Sequence, residues 1–228
     1  MVLSSRKEMR RQRQQESRQR SHLIKAGRIK QIQVFLDKCN YVWLFKLPIA
    51  RTSCIKSVRQ DLVGSRIVIG SNRLTAIALG KDAASEYKKN LHLISMRLVG
   101  NVCLLFTNLP LSSVKKYAEE KQVLLYARPG NIATRDVKIP AGPITRGDPP
   151  AESPFIMESS FKKLGLPVQC LGGNLFLEKE HTVCLSGQAL SVDQANLLKL
   201  LQIRLNTFKL DLVCVWNDNK VTEASDVE

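Results

Sequence analysis

The sequence predicts an α/β fold, with a mostly covered sheet in one larger domain and a small β-rich insert interrupting it. Two observations carry that reading. Compact apolar runs at "YVWLFKL" (41–47), "RIVIG" (66–70), "VCLLF" (102–106) and "FKLDLVCVW" (208–216) have the length and β-branched or aromatic content of buried strands, and helix-like segments separate the first three. Between the third and fourth runs the composition changes. "ARPGN" (127–131) and "IPAGPITRGDPPAESP" (139–154) together hold six prolines, a density expected of an extended loop or linker.

Taken in order, "RKEMRRQRQQESRQR" (6–20) has good helix formers but only Met9 to bury. It is expected to be disordered or solvated until an RNA orders it into a helix. Ile29, Ile32, Leu36 and Cys39 then recur at 3–4 spacing, which predicts an amphipathic helix ending near Asn40. Pro48 stops the first strand, and Thr52 or Ser53 can cap a helix running to about Leu62, closed by Gly64. Helices are expected at 73–79 and 83–97, the second ended by Gly100, and at 111–121 with Ser112 and Ser113 as caps. In the insert, "ESSFKKLGLP" reads as a short helix with Gly165 at its C-terminal cap and Pro167 beyond. "VQCLGGNLFLEK" reads as a hairpin around Gly172-Gly173-Asn174, and "TVCLSG" as a further strand. Ser191 and Gln194 stand three apart before an apolar run, as a capping box requires. The resulting boundaries are a basic leader at 1–20, an α/β domain at 21–126 and 190–217, an insert at 127–189, and a short tail at 218–228.

Charge narrows the function. The formal net charge is +15, yet residues 1–126 carry +16 and the remainder −1. That asymmetry points to a polyanion partner for the N-terminal half. No apolar run reaches the ~18 residues of a membrane span, and the charged N-terminus lacks the apolar core of a secretory signal. The six cysteines form no CxxC pair and mostly sit in apolar runs, which reads as reduced, buried thiols and no zinc site. No GxxxxGK[ST] or GxGxxG occurs, and His22, His92 and His181 lie in unrelated contexts, so no catalytic residue, metal ligand or cofactor is assigned. Gly70-Ser71-Asn72-Arg73 instead forms a strand-to-helix turn, where free backbone N–H groups can hold a phosphate. Arg51, Lys56 and Arg59 lie on the other strand-to-helix loop and its helix. In a parallel arrangement both loops leave the sheet at one edge. Lys25 and Arg28 add two cations from the N-terminal helix.

Four blocks, "EYKKNLHLISMRLVGNVCLLFTN" (86–108), "YARPGN" (126–131), "KIPAGP" (138–143) and "KKLGLPV" (162–168), resemble the mRNA turnover protein four family. The similarity runs in order from about residue 20 to Trp216. These are nucleolar large-subunit assembly factors, paralogous to the ribosomal stalk-base protein. The resemblance implies a stalk-base-protein-like, RNA-binding α/β sandwich with a small β-rich insert domain and a basic N-terminal helix. It further implies a monomer within the pre-ribosome. That monomer occupies the rRNA of the GTPase-associated region beside neighbouring large-subunit ribosomal proteins and assembly factors. A phosphatase-like release factor then triggers exchange for the stalk-base protein. Nucleolar and nuclear residence, with shuttling to the cytoplasm, follows from the same likeness. The family's glycine–lysine–asparagine turn maps onto Gly70, Ser71 and Asn72, with Ser71 in place of the usual lysine and Arg73 adjacent to offset it. Two rivals stand beside this reading. The mature stalk-base protein needs long helices beyond the fourth strand, whereas 12 residues follow Trp216 here. A phosphate-binding enzyme lacks any assembled catalytic set.

Overall fold

The computed structural model describes residues 2–49, 51–147, 151–152 and 155–224, of which 2–12, 14 and 152 are described in the backbone alone. The chain divides into two compact units, Met1–Lys121 with Lys209–Glu228, and Gln122–Phe208. The first unit contributes α1 Val2–Lys38, β1 Tyr41–Lys46, α2 Thr52–Asp61, β2 Arg66–Val68, α3 Asn72–Leu79, α4 His92–Met96, β3 Val102–Thr107 and α5 Leu111–Glu120. The second follows with β4 Val123–Leu125, β5 Val137–Ile139, β6 Gly142–Pro143, β7 Thr145–Arg146, β8 Ala151–Glu152 and α6 Glu158–Lys163. It continues with β9 Val168–Leu171, β10 Asn174–Leu177, β11 His181–Cys184, α7 Val192–Leu200 and β12 Asn206–Phe208. The chain then re-enters the first unit through β13 Asp211–Asn217 and β14 Lys220–Glu223.

The sheet of the first unit has the order β14-β13-β1-β3-β2, and every neighbouring pair is antiparallel. This corrects the parallel arrangement expected from alternating strands and helices. The expectation about the loops nevertheless holds for a different reason. β1 and β2 both run antiparallel to β3, so they run the same way and their following loops leave by the same edge. The apolar runs read as fully buried strands because both faces are covered, a pattern usual in parallel sheets. Val42, Leu44, Leu104, Phe106, Cys214 and Trp216 pack with Ile32 and Leu36 of α1, Ala78 and Leu79 of α3, and Ile94 of α4. By the two-residue strand period, Trp43, Phe45, Cys103, Leu105 and Val215 point the other way, and they are buried too. α2 and α5 are the remaining helices of the unit and bury Cys54, Ile55, Val58, Val114 and Ala118. Asp61 joins these two helices, accepting from Tyr117 Oη and from Lys121 Nζ, each at 2.6 Å.

Three local expectations need correction. The segment 6–20 is part of one 37-residue helix, about 55 Å long at 1.5 Å per residue. Its Arg, Gln and Glu residues are good helix formers with no proline among them, so a helix anchored downstream through Ile32 and Leu36 propagates through them. The helix expected at 83–97 is confined to His92–Met96. Asn90 adopts φ 66°, which breaks the helical path, and Tyr87 N–H turns back to the Leu79 carbonyl at 2.9 Å. Gly80 makes that return possible: it has φ 104°, and a Cβ there would lie 2.2 Å from the Glu86 Cα. Finally, Arg51 and Pro110 are the N-cap residues of α2 and α5, without side-chain caps, so Thr52, Ser53, Ser112 and Ser113 do not cap.

In the second unit the turn chemistry follows the sequence closely. Gly172 and Gly173 join β9 to β10 at φ 59° and 87°, the two positive angles of a type I′ turn. Gly165 at φ 83° closes α6, with its N–H on the Lys162 carbonyl and the Leu166 N–H on that of Phe161, both at 3.0 Å. Phe161 and Leu166 are fully buried, the apolar contact that accompanies such a cap. Ser191 and Gln194 form the reciprocal capping box at 2.9 and 3.1 Å. The unit extends past the expected boundary at 189, because Leu197, Leu198, Leu201 and Leu205 complete its core with Phe161, Leu175 and Val183. Part of the expected tail is strand β14. Pro149, Pro150, Pro154 and residues 225–228 lie outside the described residues.

Five of the six free cysteines are buried and Cys170 is exposed. Burial pushes the Cys103 thiol up to about 12 and that of Cys214 up to about 11. A thiol-reactive chromophore should therefore label one site, Cys170, quickly in the native protein, and the remaining five only after denaturation. Fast labelling of Cys103 or Cys214, read by mass spectrometry, would contradict this packing.

Candidate nucleic-acid interface

β2 is an edge strand, and one of its sides opens into a cleft of about 580 Å³. The cleft is bounded by four elements: α1 through Arg28, Gln31 and Phe35, α2 through Arg59, the strand itself from Ser65 to Gly70, and α3 through Leu74 and Thr75. Its cations are Arg28, Arg59 and Arg66, all exposed, and among the described residues no acidic side chain lines it. Arg59 is held in place by a hydrogen bond from Nη2 to the Ile67 carbonyl at 3.3 Å, which spans α2 and the edge strand. Most of its five N–H donors remain for a ligand. Three guanidiniums from three elements around an acid-free cleft suit phosphate oxygens, which planar Arg groups bind through two donors at once.

The Gly70-Ser71 turn forms one wall. Ser71 is the N-cap of α3 in extended conformation, and its carbonyl accepts the N–H groups of Leu74 and Thr75 at 3.0 Å. Asn72 and Arg73 begin the helix, so their N–H groups have no partner within it. The Asn72 side chain has a structural role. Its Nδ2 donates to the Gly100 carbonyl at 2.9 Å and ties the turn to the segment before β3. Arg73 is exposed beside the turn and does not line the cleft.

Of the nine residues singled out in the sequence, the structure thus brings Arg28, Arg59, Gly70 and Ser71 into one cleft. Asn72 and Arg73 follow directly at the start of α3. Lys56 is exposed on α2, one turn before Arg59, and half-buried Arg51 caps that helix at its N-terminal end. Lys25 stands three residues before Arg28 on α1, in a shallow depression with Arg18, Ser21 and His22. The spacing Arg18, Ser21, His22, Lys25, Arg28, Gln31 keeps to one side of the helix, so a basic stripe leads along α1 into the cleft. Sequence reasoning missed Arg66 and Arg18. Arg66 opens a strand, and nothing local marks which side of a strand faces a cleft. Among the described residues no three His, Cys, Asp or Glu side chains are placed to hold a metal ion, and no helix is long and apolar enough to cross a membrane.

Residues 22–123 match the family model for ribosomal protein L10, and residues 127–203 match that for the insertion domain in the 60S ribosomal protein of the L10 family. The chain is 32% identical to ribosome assembly factor Mrt4 of Schizosaccharomyces pombe, over 87% of this chain and 85% of that one. It is 30% identical to its counterpart in Dictyostelium discoideum, over 84% and 83%. The chain belongs to the Mrt4 family. Likeness to large ribosomal subunit protein uL10 of Methanopyrus kandleri is weaker, 24% over 89% of this chain but 55% of that one. The cleft lies wholly within the L10-matched part, and the Mrt4 family is therefore a paralogous branch of the L10 proteins that keeps this unit.

Two substitutions separate binding from folding. Arg66→Ala should weaken binding of a structured RNA by about 1.5–3 kcal/mol, the worth of a charge-assisted hydrogen bond, with an unchanged melting temperature. Asn72→Ala should lower stability by about 1 kcal/mol through loss of the Gly100 bond. An Arg66→Ala variant that melts early with undiminished RNA affinity would make Arg66 structural.

Proposed function

We propose that this protein is a ribosome assembly factor that seats on large-subunit rRNA and holds the site of the stalk-base protein until exchange. The observation that carries the proposal is the convergence of Arg28, Arg59 and Arg66 on one acid-free cleft beside the Gly70-Ser71 turn, inside the unit that matches ribosomal protein L10. Lys25, Arg51, Lys56 and Arg73 extend the contact outward, and Gly70, Ser71 and Asn72 shape the turn. The target is the rRNA of the GTPase-associated region, recognised through its backbone and shape, because the cleft offers charge and little that could read a base edge. Neighbouring large-subunit proteins and assembly factors complete the seat, and a phosphatase-like factor drives release. The Mrt4 relatives are matched over more than four-fifths of both chains, whereas M. kandleri uL10 is matched over about half of its length. That difference favours an assembly factor over a mature stalk-base protein. Residence is nucleolar and nuclear, with shuttling to the cytoplasm.

If about five phosphates are neutralised, affinity for an rRNA fragment should fall with salt at a log–log slope of roughly −3.5 to −4.5. A flat response, measured by filter binding across a salt series, would remove the polyanion reading. Ser71→Lys, which restores the family's residue, should tighten the complex.

Deleting residues 2–20 removes seven basic and two acidic residues. The melting temperature should stay close to unchanged, because the anchored part of α1 begins near Ile32. Nucleolar enrichment of a tagged truncation should drop, and undiminished enrichment would assign targeting to the α/β unit alone.

A further inference from the structure

The second unit carries nine Lys and Arg against seven Asp and Glu, close to neutral, yet its charges are sorted. A cleft of about 570 Å³ lies between α6 and α7. Each helix offers it the same pattern at i, i+3 and i+4: Ser160, Lys163 and Leu164 from α6, and Asn196, Lys199 and Leu200 from α7. The leucines are half-buried and form an apolar floor with Tyr126, while both lysines are exposed. Arg146 adds a third cation.

The acids whose side chains are described are engaged elsewhere. Glu158 pairs with Lys162 at 2.7 Å and Glu180 with Lys138 at 3.6 Å. Glu178 accepts from Gln169, and Asp136 accepts the Ser186 N–H at 2.6 Å. Asp193 stands in the first turn of α7, away from Lys199 in the last. Among the described residues, Lys163, Lys199 and Arg146 form no ion pair, and no acid lines the cleft.

We propose that the cleft between α6 and α7 is a docking site for an acidic protein segment anchored by a bulky apolar side chain. The aliphatic floor takes the anchor, and Lys163, Lys199 and Arg146 meet the flanking carboxylates. The volume is that of a pocket for a few side chains, and complementary charge around an apolar centre selects such a segment. A single-stranded RNA fits poorly. Base stacking needs an open aromatic face, but the one ring here, Tyr126, already carries the Arg204 guanidinium 5.5 Å from its centre. The proposal concerns the second unit and does not depend on the RNA-binding reading of the first.

The test uses the full chain and three probes: a short fluorescent peptide of Asp and Glu with Leu and Phe anchors, the same peptide with Ser at the anchors, and a single-stranded RNA. The anchored peptide should bind by fluorescence anisotropy. Replacing its anchors, or the double substitution K163E/K199E, should each weaken binding about tenfold. Excess RNA should leave the peptide bound. On the unaltered protein, the peptide should protect Lys163 and Lys199 from acetylation while Lys162 and Lys138 stay reactive. That footprint decides the matter if K163E/K199E fails to fold. Equal affinity for both peptides, indifference to K163E/K199E, displacement by RNA, or absence of protection would each overturn the proposal.

Discussion

The antiparallel pairing of β3 with both β1 and β2 is the constraint on which the candidate interface depends. Because β3 opposes each, β1 and β2 point in one direction and deliver their following loops to the same edge of the sheet. α2 and α3 therefore start near that edge, and Arg59 and the Gly70-Ser71 turn come to line one cleft. β2 is also the last strand of the sheet, with no neighbour beyond it. An edge strand exposes unpaired backbone groups that invite unwanted pairing. Here its flank is bordered by Arg28 from α1 and Arg59 from α2, so like-charged side chains guard the edge and serve a ligand at once.

The position of α1 has its own physical basis. The block at 86–108 that most resembles the Mrt4 family contains a clamp. Tyr87 Oη donates to Asp37 at 2.9 Å, and Lys88 Nζ reaches the Leu36 carbonyl at 2.5 Å while lying 5.7 Å from the centre of the Trp216 ring. The Trp216 indole N–H donates in turn to the Lys89 carbonyl at 2.9 Å. α1 is thereby held against the sheet through the segment that Gly80 turns back. The family-like residues of this block shape the cleft at a distance, by fixing the helix that brings Arg28 to it.

Charge is distributed to match. The N-terminal 126 residues hold the net excess of cations, and the basic stripe of α1 leads into the cleft. A helix that long has little apolar surface above Ile29. Its exposed part gains from an anionic partner, which would relieve repulsion along the stripe. The second unit keeps near neutrality by sorting its charges, so a sum over its sequence conceals a cationic cleft.

Several features were legible in the sequence because they depend on neighbours in the chain. Gly172-Gly173, Gly165 with Leu166, and the Ser191–Gln194 box each act over six residues or fewer, and their geometry follows from glycine's freedom or a hydroxyl's reach. Strand positions were legible from apolar runs, and the Mrt4 relationship from four blocks of residues. Strand direction was not, since a strand buried on both faces has the same apolar run in a parallel or antiparallel sheet. The extent of α1 depended on anchoring at Ile32 and Leu36 rather than on any signal within 6–20. The domain break near 208 depended on where Leu197, Leu198 and Leu205 found a core. The sequence by itself determined local turns, caps and the surplus of cations. Tertiary structure alone decided that Arg28, Arg59 and Arg66 share a cleft, and that Asn72 holds Gly100, because those neighbours are separated by tens of residues and meet only when the sheet closes.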